Sequence, residues 1–251
     1  MLMNVQPSQL TIHPAKATLL AHIRVLEPQI AQLEEEKAAC QYQIDQYYRL
    51  FRLYLGDLLT QTIDLQMQLA LNKAQKTGRR SDAEEAQNWR DHFEQTNQAV
   101  REAIAHQPTN LGETDEHELR RLYRQAVTVA HPDRHINDPD RTAQATAYMM
   151  RLNDAYKCRD LVAIRRLVQE LDDGRLFAAQ PETIYDLEEL RQWHRRLTNR
   201  QTGLQTEIDQ LKADDAYRLM TANTDLIAHF STLRDSMLQQ IDHLKHHLQS
   251  L

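Results

Sequence analysis

The chain has 251 residues, with five glycines and seven prolines against an abundance of Leu, Ala, Gln, Glu and Arg, which favours long helices over sheets. Its net charge of -6 argues against general affinity for nucleic acid. No apolar run is long enough to span a membrane; even the run 50–59 is broken by Arg52 and Asp57. Two cysteines, Cys40 and Cys158, make no disulfide framework or metal-ligand set. The opening MLMNVQPSQ has neither a basic n-region nor an apolar core, so a cytoplasmic protein is expected.

Residues 1–14, punctuated by Pro7 and Pro14, read as loosely ordered. A heptad then begins at Leu19 and runs through Ile23, Leu26, Ile30, Leu33, Lys37, Cys40, Ile44, Tyr47, Phe51, Tyr54, Leu58, Gln61 and Leu65. A stripe sustained this long predicts an N-terminal coiled-coil helix over 1–80. Pro28 falls inside it and is expected to kink or restart the helix. A second stripe, Leu50, Leu53, Leu55, Leu59, Ile63 and Met67, calls for additional helical neighbours, which the C-terminal region is expected to supply by packing with the N-terminal helix into one bundle. That leaves Ile23, Leu26, Ile30 and Leu33 as an uncovered stripe suited to a homodimer.

Gly78 is a helix stop, and Ser81-Asp82-Ala83-Glu84 reads as a capping box opening a connecting helix over 81–108. Its apolar residues are Ala86, Trp89, Phe93, Val100 and Ile104, and Pro108 ends it. It packs either on the segment that follows or on the coiled coil; periodicity allows both.

Over 109–175 the pattern is helix, sharp loop, helix. Leu119, Leu122, Ala126 and Ala130 recur at helical spacing, widened by Tyr123 and Val127. Pro132 then disfavours a helical His131. Asp138-Pro139 reads as an N-cap with proline at the first helical position, ahead of Tyr148, Leu152, Ala155 and Tyr156. Asp160 caps a further helix bearing Val162, Ile164, Leu167, Val168 and Leu171, stopped at Asp172-Asp173-Gly174.

Pro181 and Thr183 introduce a C-terminal region, 176–251, expected to be an antiparallel coiled-coil hairpin. One arm carries Leu187, Leu190, His194, Leu197, Gln201, Leu204, Ile208 and Leu211. The other carries Leu226, Phe230, Leu233, Met237, Ile241, Leu244 and Leu248, and 213–216 weakens the repeat between them. His194 and Gln201 are polar within the heptad: either a poorly packed seam or a device for register. Trp89 and Trp193 read as packing residues.

The chemistry-bearing stretch is His131-Pro132-Asp133. A Pro-Asp pair is common turn chemistry. No nucleophile or carboxylate constellation surrounds His131 in sequence, so no catalytic residue is expected. Pro132 spoils a helical metal pair with His135, and His243, His246 and His247 are more often solvated positions on a coil; no metal or cofactor is expected.

Three features recur in order: Glu118, Leu119, Arg120, Arg121, Tyr123 and Arg124; then His131-Pro132-Asp133; then Leu152, Asn153, Ala155 and Tyr156. On these the stretch 111–171 resembles the J-domain family, the DnaJ-like co-chaperones of DnaK-type (heat-shock-70 class) ATPases. That family pairs antiparallel helices II and III, with an HPD loop between them. The sequence differs from the family pattern at Ala130, usually aromatic, and at Val129, often lysine. Leu111-Gly112, a loose match to the end of helix I, lies closer to the HPD than is usual.

The resemblance completes the expected architecture: all-α, with long coiled-coil helices and a helical hairpin flanking a central J-domain-like helix–HPD loop–helix module. It implies a co-chaperone with no active site of its own that docks on a DnaK-type chaperone and stimulates its ATP hydrolysis. The contact residues it implies are His131, Pro132, Asp133, Arg120, Arg121, Arg124, Arg134 and Asn153. The coils would tether a client protein or form a homodimer, with no nucleic acid and no membrane as partner. The alternative is a coiled-coil scaffold whose J-like hairpin is vestigial.

Overall fold

The computed structural model describes residues 14–105, 110–135, 138–173, 186–222 and 225–250. Among these residues the fold is all-helical, without strands, and no helix is long and apolar enough to cross a membrane. The helices are α1 (Pro14–Thr77), α2 (Arg80–Ala105), α3 (Glu113–Ala130), α4 (Pro139–Lys157), α5 (Leu161–Asp172), α6 (Leu187–Ala213), α7 (Asp215–Thr221) and α8 (Leu226–Gln249). The expectations at Pro7, Pro108, Gly174, Pro181 and Thr183 lie outside the described residues. The chain divides into two compact units: 1–39 with 109–210, and 40–108 with 211–251. Helices α1 and α6 contribute to both.

In the first unit, α3, α4 and α5 enclose a core of Leu119, Leu122, Tyr123, Leu152, Tyr156 and Ile164. Each is a residue that helical periodicity puts on an inward face. Helices α3 and α4 run antiparallel, as Tyr123 opposite Asn153 and Glu116 opposite Arg159 fix. Tyr148 keeps its buried hydroxyl satisfied by donating to the carbonyl of Leu167 (2.9 Å). The expected caps form: Asp138 accepts from the N–H of Arg141, and Asp160 from that of Ala163. Arg159, between α4 and α5, sits at φ 54° and is almost wholly buried, with its guanidinium 4.7 Å from the centre of the Tyr156 ring.

The same unit contains the first part of α1 and most of α6. Ile23 and Ile30 of α1 pack with Leu190, Leu197 and Leu204 of α6, with Leu26 and Leu33 beside them. The two helices run parallel: His22 meets His194, ring centres 5.8 Å apart, and Gln201 donates to Gln29 (3.1 Å), seven residues further on in both helices. His194 and Gln201 are therefore matched polar layers that pin the register of the seam. The stripe Ile23, Leu26, Ile30 and Leu33, expected to be uncovered, is instead covered within the chain, and the heptad of α6 is what packs on it.

Helix α1 runs through Pro28 without restarting. Proline withdraws one backbone hydrogen bond, but Ile23 and Ile30 on either side are fixed in the seam, so packing outweighs the local cost.

In the second unit α1 pairs antiparallel with α2, with Lys73 meeting Glu85 (2.7 Å) near the turn and Gly56 meeting Val100. Gly78 ends α1 at φ 64°, a conformation that costs glycine little. The expected capping box does not form: α2 begins at Arg80, so Ser81 already lies within the helix. Thr77 donates to Asp82 instead, and Lys73 pairs with that carboxylate (3.3 Å). Helix α2 thus packs on the coil, Val100 included.

Helix α8 buries Phe230 among Tyr47, Phe51 and Tyr54 of α1, with Leu233 and Met237 packed on the same cluster. Its stripe packs on α1 within the second unit, as that of α6 does within the first. Of the second α1 stripe, Leu55 and Ile63 are buried while Leu53 is exposed.

Candidate functional site

Helix α3 stops at Ala130 because His131 is extended (φ -63°, ψ 129°), as a residue before proline prefers. Pro132, Asp133 and Arg134 then form one 3-10 turn. The turn is closed by hydrogen bonds from the N–H of Arg134 to the His131 carbonyl (3.1 Å) and from that of His135 to the Pro132 carbonyl (2.9 Å). The Nδ1 of His131 accepts from the N–H of Asp133 (3.2 Å). That acceptor role assigns the ring proton to Nε2, which faces Oε1 of Glu34 at 3.4 Å. Arg134 donates to the Thr128 carbonyl (2.5 Å), and Thr142 donates to the His135 carbonyl (2.6 Å), tying the loop to both helices. The tip is held, not free.

It is also covered. His131 keeps 12% of its side-chain surface and Glu34 keeps 9%. Three acidic residues of α1 line the loop and the basic face of α3. Glu27 pairs with Arg134 (3.1 Å). Glu34 meets His131 and receives both Nε (3.1 Å) and Nη2 (2.6 Å) of Arg200 from α6. Glu35 pairs with Arg124 (3.2 Å), lies 3.8 Å from Arg120 and accepts from the hydroxyl of Tyr156 (2.7 Å). Glu34 and Glu35 are buried charges that persist because each has several cationic or hydroxyl partners.

The titration behaviour follows from this packing. Burial pushes the Glu34 carboxyl up, but the hydrogen bond with His131 and the charge of Arg200 outweigh it and hold Glu34 below the usual carboxylate range. At Glu27 burial prevails over Arg134 and Arg24, and the carboxyl is raised. Burial, then the charge of Arg134, pushes His135 down. Burial, then the neighbouring Glu35, raises the Tyr156 phenol and keeps it a donor.

The structure gathers most of the residues singled out from the sequence. His131, Pro132, Asp133 and Arg134 share one turn, and Arg120 and Arg124 share the face that α1 meets. Arg121 is exposed, with Glu118 as its electrostatic neighbour. Asn153 accepts from Tyr123 (2.7 Å), so its carbonyl serves the α3/α4 pairing. Sequence reasoning missed Glu27, Glu34, Glu35 and Arg200. The run Glu34-Glu35-Glu36 reads as an ordinary solvated charge run, and only tertiary packing makes it part of this site.

Among the described residues no group of three or more His, Cys, Asp or Glu side chains is placed to hold a metal. No family model, curated protein or solved structure matches the chain.

Proposed function

We propose that the protein is a J-domain-like co-chaperone that docks on a DnaK-type chaperone through the His131-Pro132-Asp133 turn and stimulates its ATP hydrolysis. The observation that carries this reading is the rigid 3-10 turn at the tip of the antiparallel α3/α4 pair, with Arg120, Arg121 and Arg124 on the adjoining helix. A basic face beside a preformed loop suits an acidic chaperone surface, where charge complementarity speeds and orients encounter. His131, Pro132, Asp133 and Arg134 are the residues assigned to docking, and Asn153 supports them through Tyr123. The coils supply surface for a client protein, in the cytoplasm.

Stimulation of a DnaK-type ATPase tests it. The parent chain should raise the hydrolysis rate, and His131→Gln should abolish the effect while helical circular dichroism stays intact. Arg120→Glu with Arg124→Glu should weaken association, as should raised salt, because exposed charge contacts are screened. Equal stimulation by the parent and His131→Gln would sink the reading.

A second reading has its own observation: His131, Arg124 and Arg134 already have carboxylate partners on α1. On that reading the protein is a coiled-coil scaffold and the turn is a structural joint. Absence of any chaperone stimulation by the parent, together with marked destabilisation by His131→Gln, would favour it.

A further inference from the structure

We propose that Glu27, Glu34 and Glu35 of α1 form an intrachain clamp that occupies the HPD turn and basic face, so that the described chain is a closed state of the docking site. The inference rests on the co-chaperone reading and adds its regulation. The contacts are specific: Glu27 to Arg134, Glu34 to His131, Glu35 to Arg124 and, more loosely, to Arg120.

These are four of the residues that an acidic partner would need, and the same cations cannot serve two sets of carboxylates at once. The clamp therefore competes with docking. Its hold is reinforced by contacts beyond those four. Ala31, on the same stretch of α1, is buried in the core of α3, α4 and α5. Tyr156 donates to Glu35 from within that core. Arg200 of α6 anchors Glu34 from the other side, while Lys37 of α1 pairs with Glu207 of α6 (2.5 Å). Opening thus requires this part of α1 to lift from the three-helix core, and whatever grips α1 or α6 controls the access of the chaperone to the turn. A site available only in a minor open state binds its partner with an affinity reduced by the open fraction.

The test uses the full chain with Glu34→Gln and Glu35→Gln together, which keeps shape and removes charge, and Glu27→Gln as a milder second variant. Two quantities are measured: hydrogen exchange at residues 131–135, and the concentration giving half-maximal ATPase stimulation of a DnaK-type chaperone. The clamp predicts faster exchange in the turn and a half-maximal concentration lower by about threefold or more, since removing a closed-state bias returns the affinity it withheld. His131→Gln added to the variant should cancel the gain. If circular dichroism shows the double variant unfolded, Glu27→Gln carries the same prediction with a smaller shift. Unchanged half-maximal concentration alongside stimulation by the parent overturns the clamp and leaves the co-chaperone reading standing. Faster exchange with no stimulation by any form overturns the co-chaperone reading, and the clamp as its regulator goes with it.

Discussion

The Glu34 carboxylate concentrates the physics of this site. With a folded pKa below the ordinary value of about 4.3, it stabilises the fold fully above that value and loses the contribution as pH falls through the folded one. Arg200→Met removes its strongest partner. Burial should then dominate, so we expect a loss of about 2 kcal/mol at neutral pH, below the full cost of breaking a buried pair because Arg200 is 30% exposed. With its folded pKa then raised, Glu34 takes up a proton as pH falls and the deficit should narrow on acidification; denaturant midpoints between pH 3 and 7 read both effects. His135 acts in a separate window. Its folded pKa lies below the ordinary value of about 6.5, so its contribution is complete above that value and is lost on acidification toward the folded pKa. His135→Gln should flatten the stability profile between pH 7 and 5, and a profile identical to the parent's would count against burial as the cause. Neither behaviour was legible in the sequence. Glu34 and His135 are ordinary surface residue types; the partners of Glu34 come from helices far away in the chain, and those of His135 from the fold of its own loop.

At the scale of elements, local signals were the readable ones. Asp138-Pro139, Asp160 and Gly78 each act within one turn of backbone, and each ends or starts a helix where expected. Asp138→Ala should cost about 1 kcal/mol, the worth of an N-cap, seen as a lower melting temperature. Ser81 misled because Thr77, four residues earlier, takes over Asp82. Gly56 carries a signal of another kind. A Cβ there would stand 2.9 Å from Cγ1 of Val100, so glycine lets α1 and α2 approach closely. Gly56→Ala gains about 1 kcal/mol of helix propensity but forces a stiff β-branched neighbour aside, which costs about 1–3 kcal/mol. We expect net destabilisation of about 1 kcal/mol, relieved when Val100→Ala is added. If the single substitution stabilises, the contact is looser than drawn.

For the whole molecule, the heptads announced helices but not partners. A stripe of Leu and Ile says that something covers it; it does not say whether that is the neighbouring helix in sequence, a distant one or a second copy. Here α6 and α8 each chose α1, and the polar pairs His22–His194 and Gln29–Gln201 show how the α6 register is set. Ile30→Asp is therefore expected to lower helical ellipticity and melting temperature, with molar mass in light scattering unchanged. A fall in mass would return the stripe to an interface between copies.

The parallel pairing of α1 with α6 has a consequence for how the protein is made. Gln29 and Gln201 are 172 residues apart, whereas Tyr123 and Asn153 within the central helices are separated by 30. A ribosome adding ~5–20 residues per second would emit the first α1 stripe roughly 10–30 seconds before its partner exists. The central helices, closing short loops, fold early; the seam must wait for a long loop closure. During that interval Leu19, Ile23, Ile30 and Leu33 stay in water on the nascent chain, and a pause or truncation ahead of α6 leaves them permanently sticky.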